Sequence, residues 1–253
     1  MHGTLPALTN IDLIQGDCLE VMKTLDAGLF DLSFFSPPYN MREGTSFRNP
    51  KGTKWANAKL ANGYASHGDD MPYEDYVAWQ KDILREVWRL TADDGAIFYQ
   101  HKPRTVNGTL RMPTDLLPDE LRAFLRQIVI WDRKHGFNFN ASFFLPTTEW
   151  IVIIAKPAWR LKSRGASAVK DIWRVPPDYG NDHPAPFPVE LPRMAIEATT
   201  ARTIFDPFMG SGSTALAAIA EGRDFVGIEL DQGYLDRAAE RIRNATPAQV
   251  RVH

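Results

Sequence analysis

The chain of 253 residues reads as one α/β domain, a largely parallel sheet of seven strands with helices on both faces. Three observations predict it. Short apolar runs alternate with longer stretches of helical spacing, the pattern of repeated strand–helix–strand units. Hydrophobic residues make up 44% of the chain and charged residues 24%, enough to bury one sizeable core. No internal repeat or low-complexity tract divides the sequence. The strand-like runs are 11–13, 32–35, 96–99, 128–131, 151–154, 203–205 and 225–228. Helical patterns cover 18–25, 73–90, 118–125, 189–198, 213–221 and 232–243. Within 73–90 the residues Tyr76, Val77, Ile83, Leu84, Val87 and Trp88 recur at helical spacing and are expected in the core. Residues 140–156 break the simple alternation.

Composition limits the function classes. Net charge is −2, so any basic surface for a polyanion has to be local. The single cysteine, Cys18, excludes an internal disulfide and a cysteine-rich zinc site; no metal site is expected. It fits a reducing cytoplasm, the expected location, and reads as a small packing residue rather than a nucleophile. Residues 1–10 lack the basic and apolar regions of a signal peptide, and no apolar run approaches the ~20 residues of a membrane span.

Ser36-Pro37-Pro38-Tyr39 directly follows the apolar run 32–35 and reads as a sharp turn at the end of a buried strand. Two prolines fix two φ angles and supply no N–H, so the neighbouring carbonyls can point into a cleft. The tip carries two acceptors, the Ser36 hydroxyl and the Pro37 carbonyl, and an aromatic face at Tyr39. Such a set suits the exocyclic amino group of a base. A plain loop end has the same composition.

A second motif lies far down the chain. The run 203–205 enters Asp206-Pro207-Phe208-Met209-Gly210-Ser211-Gly212-Ser213-Thr214, followed by a strong helix pattern. Glycines between a strand and a helix allow a ligand to approach the backbone closely. The next strand delivers Glu229 at its end, roughly twenty positions past the glycines, where a ribose hydroxyl pair is bound in this layout. Ala215 stands where the dinucleotide fingerprint has its third glycine, and no P-loop is present. The pattern points to a nucleoside without a pyrophosphate.

The pair Ser36-Pro37-Pro38-Tyr39 and Asp206-Pro207-Phe208-Met209-Gly210-Ser211-Gly212 resembles the amino-methylating DNA methyltransferases that use S-adenosylmethionine (AdoMet). With the Pro-Pro-Tyr motif first and the glycine motif last, the order resembles the permuted beta arrangement of that family. The segment His183-Pro184-Ala185-Pro186-Phe187-Pro188, then Leu191-Pro192, resembles the part that closes over the methionine end of AdoMet. Gly16-Asp17-Cys18 resembles the loop that contacts adenine. The likeness runs from about Ile11 to Arg243. It implies a Rossmann-like, circularly permuted class I methyltransferase fold, with an antiparallel hairpin over 140–156. The cofactor residues it implies are Asp17, Cys18, Asp206, Phe208, Met209, Gly210, Gly212, Ser213 and Glu229; the catalytic ones are Ser36, Pro37, Pro38 and Tyr39.

Two stretches fit neither sheet nor helix. Residues 40–72 form a long loop with Arg42, Arg48, Lys51, Lys54 and Lys59 against Glu43 alone up to residue 60, with Phe47 and Trp55 interleaved. Residues 157–182 sit where the family places a target-recognition region; Arg160, Lys162, Arg164, Lys170 and Arg174 stand there with Trp159 and Trp173. Local basic charge with aromatics fits contact with double-stranded DNA; solvated loops with locally packed aromatics are the alternative. A nuclease domain is not expected within 253 residues already occupied by these motifs, and a homodimer and a separate restriction endonuclease are left open as partners.

The implied reaction needs no covalent activation. An exocyclic amine has its lone pair conjugated into the ring, so its nitrogen must be turned towards sp³ geometry by acceptors on both hydrogens. Ser36 Oγ and the Pro37 carbonyl take that part, and Tyr39 stacks on a base turned out of the helix. Phe143, Phe144 and Trp150 are expected to pack in the core. In the family, serine ahead of Pro-Pro-Tyr resembles the N4-cytosine enzymes, and aspartate or asparagine the N6-adenine ones. N4-methylation of cytosine in DNA is therefore expected. N6-adenine methylation, methylation of a protein glutamine and a non-catalytic DNA-binding module are the alternatives.

Overall fold

The computed structural model describes residues 9–41, 69–136, 141–178, 187–245 and 249–253. Strand β1 (Asn10–Gln15), helix α1 (Cys18–Lys23) and strand β2 (Phe30–Phe35) come first. Helix α2 (Tyr73–Leu90) runs straight into the long β3 (Thr91–His101). A small hairpin, β4 (Arg104–Val106) and β5 (Thr109–Arg111), and two 3-10 turns, Pro113–Leu116 and Asp119–Phe124, follow. Then come β6 (Leu125–Asp132), β7 (Thr148–Ala155), the one-turn α3 (Arg164–Ser167) and β8 (Ile172–Trp173). The glycine half consists of α4 (Glu190–Glu197), β9 (Thr203–Asp206), α5 (Ser213–Ala220), β10 (Asp224–Glu229), α6 (Gln232–Ala245) and β11 (Gln249–Val252).

The main sheet has the order β11-β1-β10-β9-β2-β3-β7-β6-β8, and among the described strands only β7 runs against the rest. All seven expected strands are present. Two more, β8 and β11, widen the sheet to nine; at two and four residues they are too short for a period of two to show. The hairpin expected within 140–156 is instead made by β6 and β7, with Asp132 opposite Thr148. The helix expected at 118–125 is a 3-10 turn that ends as β6 begins. The hairpin β4–β5 was not expected, yet its turn is legible: Asn107 and Gly108 take φ of 51° and 79°, the pair of left-handed residues that a two-residue turn demands.

Both faces of the sheet are covered, which is why its strands are near-continuous apolar runs. On β3 the side chains of Ala96 and Phe98 join one core layer, with Ile204, Leu191 and Ala217, while Ile97 and Tyr99 join the other, with Phe205, Ile83 and Val87. On β7 Ile151 and Ile153 alternate in the same way with Val152 and Ile154. Phe34 and Phe35 on β2, both fully buried, face opposite layers. Each contributes roughly 1.5–3 kcal/mol by burial. Of the α2 residues expected in the core, Tyr76, Ile83, Leu84 and Val87 are buried; Val77 and Trp88 pack at its margin. None of the described helices is long and apolar enough to cross a membrane.

Candidate active site

Because β2 and β9 are neighbours, the tip after β2 and the turn after β9 emerge side by side at the same end of the sheet. Phe208 joins them, its ring 6.1 Å from that of Phe35 and 5.8 Å from that of Trp79. Clefts at the carboxyl ends of strands, where the strand order reverses, are the usual ligand sites of such sheets.

At the tip, Ser36 Oγ donates to the Tyr39 hydroxyl at 2.7 Å, and that hydroxyl donates to Glu149 Oε2 at 2.9 Å. Glu149 stands near the start of β7, 110 residues away from Tyr39 in sequence, and is 6% exposed. Its Oε2 also accepts from Gln100 Nε2 at 2.9 Å, and its Oε1 pairs with Arg133 Nη1 at 3.2 Å. A carboxylate with a guanidinium counter-charge can only accept here, so it fixes the direction of the whole chain of hydrogen bonds. No protein donor among the described residues reaches the Pro37 carbonyl.

The Pro38 carbonyl is engaged. The Tyr76 hydroxyl donates to it at 2.8 Å and also lies 2.8 Å from His101 Nε2. His101 Nδ1 is 3.1 Å from the Lys102 carbonyl. Burial pushes the His101 imidazole down to about 3, so the ring is neutral, and burial pushes the Tyr76 phenol up. With one hydrogen on the Tyr76 oxygen and one on the ring, the three acceptors Pro38 O, His101 and Lys102 O cannot all be served at once. The Tyr39 ring rests against His101 with centroids 4.4 Å apart. Behind it, Arg104 Nη1 donates to the carbonyls of Tyr39 and Asn40 at 2.6 and 2.7 Å. Asn40 turns the chain with a left-handed φ of 54° and donates from Nδ2 to the Met71 carbonyl at 2.8 Å. A small cavity, lined by Tyr39, Tyr73, Tyr76, Arg104 and Arg111 among others, opens beside this clamp. There Arg111 lies 3.6 Å over the Tyr73 ring.

The glycine half is held mainly by backbone groups. Glu229 Oε2 accepts from the Gly210 amide at 3.0 Å and Oε1 from the Asp231 amide at 2.9 Å. The Gly16 amide donates to the Glu229 carbonyl at 3.0 Å, which draws the β1 end into the same crevice. Burial raises the Glu229 carboxyl above its ordinary value. Gly212, at φ 79°, turns the chain into α5; a Cβ there would come within 3.2 Å of Ile242 Cδ1. Asp206 is fully buried, accepts from the Phe208 amide at 2.9 Å and the Thr214 hydroxyl at 2.7 Å, and is pushed up to about 7 by burial.

Four of the expected cofactor residues, Cys18, Asp206, Met209 and Ser213, have buried side chains. Cys18 packs beside Met22, its thiol pushed up to about 12 by burial. Asp17 caps α1, with Oδ1 accepting the amides of Leu19 and Glu20 at 2.9 and 3.2 Å; it is exposed and keeps a free lone-pair side. Phe208 and Glu229 keep partly open side chains.

The basic residues divide. Arg42, Arg48, Lys51 and Lys54 lie outside the described residues, as do 183–186. Arg160, Lys162 and Arg164 are placed at the opposite end of the sheet from Tyr39. Lys156 N donates to the Gly95 carbonyl at the start of the β3 ladder, and Lys162 N donates to the Ala198 carbonyl ahead of β9. Arg160 folds back onto the carbonyls of Pro157 and Trp159. Trp159 and Trp173 are buried in the core, and Lys156 caps the Trp88 ring at 4.1 Å. Phe144 is not in the core: it is 99% exposed, in the loop that leads to β7.

Sequence reading missed Glu149, Gln100, Arg133, His101 and Arg104. Each lies on a strand or loop far from the tip in sequence, and a lone Glu at the start of an apolar strand (Thr148–Ala155) is the one signal that marks any of them.

The model for the N6- and N4-type DNA methylases matches residues 30–240, which spans both halves of this crevice. The type II methyltransferase M2.MboI of Moraxella bovis is 26% identical over 94% of the chain and 89% of its own length. M.ScaI of Streptomyces caespitosus is 27% identical over 92% and 82%. Among solved structures, the PvuII DNA methyltransferase (cytosine-N4-specific) superposes with a TM-score of 0.68 over 96% of this chain and 94% of its own, at 18% identity. A putative DNA modification methylase of Thermus thermophilus, complexed with S-adenosyl-L-methionine, gives 0.65 over 96% and 99%, at 24% identity. With a match of that extent, the chain belongs to the DNA methylase family of the N6/N4 type.

Proposed function

We propose that this DNA methyltransferase transfers the methyl group of AdoMet to the exocyclic N4 amine of cytosine, in the permuted beta arrangement with a Ser-Pro-Pro-Tyr tip. The observation that carries the reading is the tip itself: Ser36 Oγ, with its own hydrogen committed to Tyr39, presents lone pairs beside the crevice of the glycine turn. Serine at that position resembles the N4-cytosine enzymes of the family.

The residues present fit AdoMet. Glu229 uses two lone pairs on backbone amides and retains others for ribose hydroxyls. The turn from Gly210 to Gly212 offers backbone without bulky side chains for the amino-acid part, and Asp17 is assigned to the adenine side. Bound AdoMet would supply an electrophilic methyl on a cationic sulfur. Ser36 Oγ and the Pro37 carbonyl hold the two amine hydrogens and turn the nitrogen lone pair out of conjugation. Tyr39 stacks on the flipped base, worth on the order of 1–3 kcal/mol. Alignment of nitrogen with methyl supplies up to roughly 7–11 kcal/mol of the barrier. Double-stranded DNA would be met on the same end of the sheet, at the tip that carries Tyr39. Arg160, Lys162 and Arg164 have no part in this surface.

The test is the product. Purified protein with AdoMet and mixed-sequence duplex DNA should yield N4-methylcytosine on digestion to nucleosides and mass analysis. N6-methyladenine as the main product would refute the assignment from serine and leave the fold and crevice standing.

A further inference from the structure

We propose that Glu149 governs the protons at the tip: it sets the direction of the Ser36 and Tyr39 hydroxyls and receives the proton that the methylated amine must lose. The inference rests on the amine-methylation reading above. A serine hydroxyl can donate or accept, and a substrate amine needs an acceptor. Here the carboxylate, acceptor only, takes the Tyr39 hydrogen at 2.9 Å, so the Tyr39 oxygen takes the Ser36 hydrogen at 2.7 Å. Ser36 Oγ is left with lone pairs alone on its substrate side. A neutral side chain thereby does what an aspartate would do at that place, with the charge set two bonds back and paired with Arg133.

The same three groups form an outlet. After the nitrogen gains its carbon substituent it carries one hydrogen too many. Its N–H bond breaks towards Ser36 Oγ as the Ser36 O–H breaks towards the Tyr39 oxygen and the Tyr39 O–H breaks towards Glu149 Oε2. One N–H is lost and one carboxylic O–H gained; each hydroxyl still carries one hydrogen, now turned the other way, and the starting direction returns when Glu149 gives up its proton. The titratable and charged groups that face this path are Arg133 on Glu149 Oε1, Lys102 beyond it, and the neutral His101 against the Tyr39 ring. None of them offers an acceptor to the Tyr39 hydrogen in place of Glu149.

Glu149→Gln reverses the chain, because an amide N–H can donate to Tyr39, whose own hydrogen is then driven towards Ser36. Tyr39→Phe cuts the chain and keeps the ring. Single-turnover methylation of unmethylated mixed-sequence duplex DNA should fall on the order of 100-fold in each variant, with AdoMet affinity by calorimetry unchanged. The double variant should be no slower than either single one, because both remove the same relay. Losses that multiply in the double variant, or rates within about twofold of the parent in the single ones, overturn the proposal. If Glu149→Gln fails to fold, seen as loss of AdoMet binding, the Tyr39→Phe rate alone decides. A parent that methylates no nucleoside overturns the amine reading first, and this one with it; an active parent with an indifferent Glu149 overturns this one alone.

Discussion

At the ends of β1, β9 and β10 the polar groups that shape the crevice are mostly backbone amides gathered by one carboxylate, whereas at the ends of β2, β3 and β7 they are side chains that meet across the sheet. The first half is defined by where the chain turns. The second is defined by which side chains three non-consecutive strands bring together. A ligand recognised in the first half should therefore be sensitive to Glu229 and the glycines and indifferent to the tip, and the reaction in the second half should show the reverse sensitivity.

Crossing the two halves gives the largest effect. Tyr39→Ala should lower turnover by more than the roughly 100-fold expected of Tyr39→Phe, because stacking is lost together with the hydroxyl, while AdoMet titrates as in the parent. Glu229→Ala should weaken AdoMet by about 1–3 kcal/mol in the same titration, because ribose donors and the Gly210 and Asp231 amides lose their acceptor. Equal effects of both changes on binding would erase the division between the halves.

A smaller effect sharpens it through pH. Asp206 is raised by burial from the ordinary carboxylate range to about 7, so its protonated form is the one the folded state prefers. The stability it brings is complete below pH ~4 and is lost as pH rises through about 7, with a ceiling of roughly 4 kcal/mol. The neutral form has a partner ready: its O–H can donate to Thr214 Oγ1, whose hydrogen then turns to the Phe34 carbonyl 3.3 Å away. Chemical denaturation of the Asp206→Asn variant between pH 5 and 8 should show a flatter stability profile than the parent. A parent profile that rises over that range would contradict the burial argument.

The smallest effect is expected far from both halves. Neutralising Arg160, Lys162 and Arg164 together should leave the salt dependence of DNA binding and the methylation rate unchanged within error, since they project from the other end of the sheet. A clearly flattened salt slope in filter-binding or fluorescence titration would place DNA on that end.

The division also explains what the sequence made legible. The glycine half was readable because Asp206 to Thr214 and Glu229 follow one another within a single strand–turn–helix–strand unit, each in a place set by local geometry. The tip was readable for the same reason. Its support was not: Glu149 is 110 residues from Tyr39, and only the antiparallel register of β3 and β7, with His101 opposite Trp150, brings it near. The basic run after β7 could not be placed from sequence, because charge in sequence carries no information about which end of a sheet it leaves. Since β7 runs opposite to its neighbours, the residues after it exit at the end away from the tip. Trp159 and Trp173, interleaved with those charges, are drawn inside by their apolar bulk.

A sheet nine strands wide has two rims, and each rim is a potential template for a strand from another molecule. Here one rim is β8, two residues long, and the other β11, four residues long. Beside β11 the Arg251 guanidinium grips both oxygens of Asp12 at 2.6 Å, with His253 at 2.9 Å, so charge crowds the seam with β1. So short a ladder offers an incoming strand few hydrogen bonds, which makes the margins of the sheet a safeguard against edge-to-edge aggregation at high protein concentration.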